Sequence, residues 1–355
     1  MEKMMSRKLV SMTAVTALMS SVAIADTPNV AADIAPIHSL VSRVMAGVGQ
    51  PSLIIPAEAS PHEYRLRPSE AKALQDANFV FWMGEGLTPW MENALETLSQ
   101  NAKVITLLEA NETNLLEFRE GALFEEHDHD DHDDHDDHDK KDDHDDHDDH
   151  DDHDDHDKKD DHDDHDDHDD HDKKDDHDDH DDHGHGAHDP HAWLSIENAK
   201  SWLNLIAAEL SKVDPENAGT YFANATAGRA EIDNLIIEVN KLLAPVRGES
   251  FIVFHDAYQY FEESFNFPAS GAISLGDASD PSPSRVAEIQ ERVKNEEVSC
   301  VLAEPQYNPG IVDTVLSGTE AKTGVIDPIG FKLEPGPDLY SQLIRNMAKT
   351  LAGCL

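Results

Sequence analysis

The chain has 355 residues, 38% of them hydrophobic, and a formal net charge of −47 at pH 7. Residues 125–189 contain 37 acidic residues and six lysines, so this one segment carries −31 of the net charge. The rest of the chain is acidic to an ordinary degree and has no cluster of Lys and Arg, which argues against nucleic acid as a partner. Length and apolar content suit two modest α/β lobes.

The first 25 residues have the pattern of a secretory signal peptide. Three basic residues in the first eight precede an apolar run over residues 9–19, and the small-residue triplet that ends at Ala25 indicates cleavage there. The apolar run is too short to cross a bilayer. The sequence therefore predicts an exported, periplasmic protein with no membrane insertion after cleavage.

Residues 26–213 are predicted to form an N-terminal α/β lobe. Strand patterns occur in NVAADIA, SLIIPA, FVFWMG and KVITLL, and they alternate with the helical patterns IHSLVSRVMAGV, PSEAKALQDA and PWMENALETLSQ. Alternation of this kind predicts a parallel sheet with crossover helices, the Rossmann-like arrangement.

A tract of histidines spaced by aspartates interrupts this lobe from His127 to His188. It has no apolar periodicity and cannot bury enough surface to offset the entropy of ordering the chain. We therefore expect residues 125–189 to be a disordered loop inserted in the first lobe.

Residues 214–246 predict one long helix that links two lobes. Asp214 and Pro215 suit an N-cap and a first helical position, and apolar residues follow at helical spacing as far as Leu243. Pro245 then stops the helix. Such a helix would limit how far the lobes swing apart.

Residues 247–355 repeat the strand and helix alternation and predict a C-terminal α/β lobe. This half also contains the two cysteines of the chain, Cys300 and Cys354. An oxidising compartment favours a disulfide between them, whereas two separate buried thiols are the alternative.

Three histidines outside the tract stand at positions that suit a binding site. His62 follows the apolar run LIIPAEAS, His191 precedes a helix in DPHAWLS, and His255 ends the run SFIVF. Open α/β sheets bind ligands at such strand ends. Three neutral imidazoles suit tetrahedral Zn²⁺ and leave one position open, whereas Mn²⁺ or Ca²⁺ would require more carboxylate oxygen. His38 lies within a helical pattern and is not a site candidate.

Each of these rings would need an acceptor for its second nitrogen. Asp189, Asp256 or a nearby backbone carbonyl could supply it. The sequence does not decide among them.

Several longer motifs carry a family resemblance over essentially the whole mature chain. The segments are ASPHEYRLRPSE (59–70), DPHAWLS (189–195), VFHDAYQYF (253–261) and AEPQYNP (303–309), together with the Cys300 and Cys354 pair. In this order they resemble the zinc-specific solute-binding proteins of ABC uptake transporters, the ZnuA-like group, in which a His/Asp-rich insertion before DPHAWLS is typical.

The resemblance implies that His62, His191 and His255 are the zinc ligands in a cleft between the lobes. It further implies that Cys300 and Cys354 form a disulfide that fastens the last helix to the second lobe. Pro61 departs from relatives that have a Glu before the first histidine. The fourth ligand therefore stays open between water, Glu304 and a histidine of the tract.

The function expected from these features is capture of Zn²⁺ and its delivery to a membrane ABC permease by a monomeric protein that is not an enzyme. For the tract, an inert solvated linker is one alternative and a set of many weak zinc sites is the other. A zinc hydrolase and a storage protein in which the tract is primary are rival functions, although no HExxH motif is present.

Overall fold

We describe the protein from a computed structural model, over residues 27–119, 124, 188–274, 281–295, 298–307 and 309–355. The strands in these ranges are β1 Val30–Ala32, β2 Ser52–Leu53, β3 Phe79–Trp82, β4 Lys103–Thr106, β5 Phe251–His255, β6 Gly271–Ser274, β7 Cys300–Ala303 and β8 Lys322–Val325. The α-helices are α1 Ala35–Val44, α2 Pro68–Asp76, α3 Pro89–Leu98, α4 Ile196–Val213, α5 Ala218–Leu243, α6 Gln259–Phe265, α7 Pro283–Asn295, α8 Pro309–Leu316 and α9 Leu339–Cys354.

The strands form two parallel four-stranded sheets of the same topology. The first sheet has the order β2-β1-β3-β4 and the second has β6-β5-β7-β8. The central strands β3 and β5 are buried along their whole length, which explains their near-continuous apolar sequences FVFW and FIVFH. The α/β class with two Rossmann-like lobes, predicted from the sequence, is confirmed.

The main hydrophobic core joins the first sheet to α1, α4, α5 and α9 and continues to one face of the second sheet. A smaller cluster, formed by residues of β5 and β7 with α7 and α8, covers the other face of the second sheet. Among the described residues, no helix combines the length and the apolar character needed to cross a membrane.

The long helix predicted after residue 214 is present as α5, but it begins at Ala218 rather than at Pro215. Asp214 instead ends α4, and its carboxylate accepts hydrogen bonds from the Asn217 side chain and the Tyr221 hydroxyl, at 2.7 Å each. Helix α5 packs against α4, α1 and α9, and so contacts helices from both halves of the chain.

The second sheet contains one strand that the sequence patterns missed. Strand β6 has only four residues, two of them Gly271 and Ser274, and gives little apolar signal. The predicted disulfide is present: Cys300 at the start of β7 is bonded to Cys354 at the end of α9, and the two Cα atoms lie 5.8 Å apart. It ties the last helix to the second sheet.

The predicted signal peptide and most of the tract lie outside the described residues. The domain limits proposed at residues 213, 214, 246 and 247 stay predictions. His38 lies in α1, buried, with Nε2 3.1 Å from the carbonyl oxygen of Pro51.

Candidate metal centre

A small cavity lies at the carboxyl ends of the two sheets, where open parallel sheets bind their ligands. Its volume is about 20 Å³, room for an ion and an atom or two of its other ligands. All three histidines selected from the sequence line it. The complete lining consists of Ser60, Pro61, His62, His191, Trp193, His255, Glu304, Gln306, Tyr307, Pro328 and Ile329.

The three imidazole rings converge on this cavity from separate segments. The ring centroids of His62 and His191 are 5.9 Å apart, and those of His191 and His255 are 5.4 Å apart. Rings that bind one zinc ion tetrahedrally, each through a nitrogen at about 2.0 Å, have centroids about 5 Å apart. The described residues contain no group of three His, Cys, Asp or Glu already arranged as a formed metal site. Binding of one ion by all three rings would therefore require them to draw slightly closer.

His191 is held in place by Asp189. One carboxylate oxygen of Asp189 lies 2.7 Å from Nδ1 of His191 and also accepts a hydrogen bond from its backbone N–H at 2.9 Å. Because a carboxylate accepts, Nδ1 carries the proton and Nε2 is the nitrogen with a lone pair for a metal. The 3₁₀ helix Ala192–Leu194 starts directly after this ring. Asp189 was one of the acceptors considered from the sequence.

His255, the last residue of β5, is held in the same way by Glu304. Nδ1 of His255 lies 2.6 Å from Oε1 of Glu304. The two meet because β5 and β7 are parallel neighbours in which Phe251 pairs with Cys300 and Ile252 with Val301, and the same offset brings residue 255 beside residue 304. Glu304, considered above as a fourth ligand, therefore orients a ring.

The buried Tyr258 lies next to His255 and Glu304. Burial, together with the nearby charge of Glu304, raises the pKa of Tyr258 well above its usual range. The hydroxyl therefore stays protonated and adds no negative charge beside Glu304.

His62 lies in the loop between β2 and α2 and is only partly buried. The indole Nε1 of Trp90, near the start of α3, donates to the carbonyl oxygen of Pro61 at 2.8 Å. Just beyond the loop, Glu70 in the first turn of α2 accepts from the Tyr64 hydroxyl and from the backbone N–H of Arg67, at 2.8 and 2.7 Å. These contacts set the path of the loop on either side of His62.

Another part of the cavity wall is held by Trp193. Its indole Nε1 donates to the carbonyl oxygen of Pro328 at 2.8 Å. The turn that presents Pro328 is stabilised by Asp327, whose carboxylate accepts from the backbone N–H groups of Ile329 and Gly330. The wall beside His191 is therefore held by hydrogen bonds and is mostly apolar.

The last residue of the tract, His188, meets a residue that precedes the tract close to this cavity. Glu117 and His188 form an isolated antiparallel bridge, and the backbone N–H of Asp189 donates to Leu116 at 2.9 Å. Arg119 forms ion pairs with Asp256, the neighbour of His255, and with Glu262. Asp256, considered from the sequence as an acceptor for a ligand ring, is thus the partner of an arginine at the base of the tract.

Sequence reasoning missed Trp90, Arg119 and Gln306. A tryptophan at the start of a helix carried no signal for a contact 29 residues earlier in the chain. Arg119 has partners 137 and 143 residues away. Gln306 stands within the quoted motif AEPQYNP, and that motif was the available signal for it.

Comparison with known proteins gives a consistent family. The family model described as zinc-uptake complex component A, periplasmic (ZnuA) matches residues 30–354. The chain is 44% identical over 327 residues to the high-affinity zinc uptake system protein ZnuA of Brucella abortus, covering 92% of this chain and 91% of that one. It is 42% identical over 332 residues to the protein of the same name from Paracoccus denitrificans, covering 93% of each.

Solved structures show the same fold at lower identity. A crystal structure of ZnuA superposes with a TM-score of 0.67 at 20% identity and covers 93% of this chain and 99% of that chain. A solute-binding protein from Pseudomonas aeruginosa in complex with Mn²⁺, FpvC, also has a TM-score of 0.67, at 18% identity, with 92% of this chain and 98% of that chain covered. The chain belongs to the periplasmic zinc-uptake component A family.

Proposed function

We propose that this protein captures Zn²⁺ in the cavity between the two sheets, outside the inner membrane, and delivers it to an ABC permease for import. The observation that carries the proposal is the convergence of His62, His191 and His255, two of them already oriented by carboxylates. The names of the relatives support the same cargo.

The donor set favours zinc over harder cations. Three neutral imidazole nitrogens suit a borderline-soft ion with tetrahedral coordination, whereas Mn²⁺ prefers additional oxygen ligands. The carboxylate in the cavity wall, Glu304, is engaged with His255. Two carboxylates behind the rings, from Asp189 and Glu304, offset the double charge of the ion without binding it.

The size of the cavity favours a carrier over a hydrolase. A volume of about 20 Å³ accommodates an ion and not an organic substrate beside it. The cargo is held without covalent chemistry, and its release requires only that the rings separate again. Hydrolysis of ester or peptide substrates at saturating zinc would contradict this assignment.

The decisive experiment removes the three rings and leaves the tract intact. We expect the triple variant H62A/H191A/H255A to lose the tightest zinc site in a chelator competition titration and to keep the weaker sites. It should also fail to restore growth of an uptake-deficient bacterium under zinc starvation. His38→Gln is the matched control and should bind zinc like the wild type. A tight site that survives the triple substitution would contradict the proposal.

We further propose that the tract collects zinc through many weak sites and raises its concentration near the cavity. The positions of Glu117 and His188 support this, since the two residues are bridged to each other and His188 closely precedes His191 in the chain. Deletion of residues 127–187 keeps that bridge and should leave one tight site in calorimetry. Unchanged stoichiometry would show that the tract is an inert linker.

Zinc should leave the tract when the pH is lowered from neutral into the acidic range. Histidines begin to take up protons below about pH 6, and a protonated imidazole cannot bind a metal. The wild type should therefore lose its additional zinc ions between about pH 7 and 5. Multi-site loading that persists at pH 5 would exclude histidine ligation.

Light scattering in the same buffers should show the monomer that we expect.

A further inference from the structure

Gln306 lines the metal cavity with a carboxamide that has no hydrogen-bond partner in the described chain. Both of its polar atoms, Oε1 and Nε2, are buried. Burying an unpaired polar group is costly, and each such group in a folded protein therefore requires an explanation. A bound species with both a donor and an acceptor would satisfy this amide.

Several groups around the cavity are engaged elsewhere or are apolar, and so leave the fourth zinc position to such a species. Glu304 is held by Nδ1 of His255 at 2.6 Å. Pro61 has no side-chain donor, and its carbonyl oxygen accepts from the indole of Trp90. The wall formed by Pro328 and Ile329 is apolar.

We propose that Gln306 positions a water molecule as the fourth ligand of the zinc ion, and this inference rests on the function proposed above. A water bound to Zn²⁺ is polarised and donates strongly to an oxygen acceptor, which Oε1 of Gln306 provides. Nε2 can donate to the same site when the ligand is an anion. Gln306 is thus a positioning residue that acts on the metal through the water.

The neutral charge of Gln306 has a consequence for release. Asp189 and Glu304 already balance the two positive charges of the ion, so a third carboxylate would make the loaded site anionic and its zinc harder to surrender. A carboxamide completes the coordination sphere without adding that charge. The exchangeable ligand also leaves one coordination position through which the ion can enter and depart.

The test uses the full-length mature protein with substoichiometric metal, so that only the tightest site is filled. We expect Gln306→Met, which keeps the length of the side chain and removes its polarity, to weaken zinc binding by about 10- to 100-fold in chelator competition. It should also shift the visible absorption bands of the Co²⁺-loaded protein, which report the ligands of the metal. Gln306→Glu restores an oxygen acceptor and should bind zinc at least as tightly as the wild type. Gln342→Met, on the exposed side of α9, is the matched control and should change nothing.

A second measurement probes the water itself. Thiocyanate added to the Co²⁺-loaded wild type should displace the water and change the spectrum. In Gln306→Glu the added negative charge should weaken thiocyanate binding by at least about tenfold. This result remains informative even if Gln306→Met fails to fold.

The outcomes separate the two proposals. A wild-type affinity and Co²⁺ spectrum in a folded Gln306→Met, or equal thiocyanate binding by the wild type and Gln306→Glu, would overturn the role of Gln306. Survival of the tight site in the triple histidine variant would overturn the proposed function as a whole.

Discussion

The two buried histidines and the histidine on the loop, all three proposed above as zinc ligands, are held in different ways. His191 and His255 are 2% and 4% exposed, and each has its Nδ1 fixed by a carboxylate. His62 is only partly buried, and its position depends on contacts made by its neighbours in the loop. The ring spacing shows the same difference. The ring centroids of the two buried histidines are 5.4 Å apart, whereas those of His62 and His191 are 5.9 Å apart. On the proposed function, folding therefore presets two of the three ligands, and the loop would bring the third to the ion.

The largest expected effect comes from removing the rings one at a time. Loss of a residue that only orients a ligand costs about 10- to 100-fold in metal affinity, so loss of a buried ligand should exceed about 100-fold. We expect His191→Ala and His255→Ala to reach that level. His62→Ala should cost less, because water can take a position that faces a partly exposed loop. Equal losses for all three in chelator competition would show that the loop is as preset as the buried pair.

The orienting carboxylates should produce the next largest effect. Asp189→Asn and Glu304→Gln keep the size of the side chain, but the amide can donate as well as accept and no longer fixes the proton on Nδ1. We expect each to weaken zinc binding by about 10- to 100-fold. Asp214→Asn replaces a buried carboxylate in the turn between α4 and α5 and serves as the control. A zinc affinity that Glu304→Gln leaves unchanged would mean that β5 alone orients His255.

Much of this arrangement could be predicted from the sequence, and the limits have a physical reason. Buried parallel strands such as β3 and β5 are apolar along their length, and His255 was recognisable because it ends such a run. Asp189 was a candidate acceptor because it lies two residues from His191. Local chemistry of this kind is visible without a structure.

The role of Glu304 was not predictable because it depends on strand order and register. His255 meets Glu304 only because β5 lies beside β7 with an offset of 49 residues. A sequence pattern indicates that two strands exist but not which of them are neighbours. The predicted start of α5 was wrong for a related reason. Aspartate is a common N-cap residue, but Asp214 lies at the end of α4, where its carboxylate accepts from the Tyr221 hydroxyl.

The smallest effect should come from the contact that supports the loop. Trp90→Phe removes the indole donor to Pro61 and keeps most of the ring, and a single hydrogen bond contributes about 1 kcal/mol. Because that energy acts on the position of one ligand, we expect zinc binding to weaken by roughly fivefold. Combined with Glu304→Gln the two losses should multiply, since the contacts orient different ligands.

Trp202→Phe removes a buried indole hydrogen bond to Thr113 and is the matched control. It should lower the unfolding temperature as much as Trp90→Phe does and leave the zinc affinity unchanged. If Trp90→Phe alters stability but not affinity, the loop reaches its bound position without the indole. In that case the loop contacts would not position His62 before binding, and the ion itself would position it.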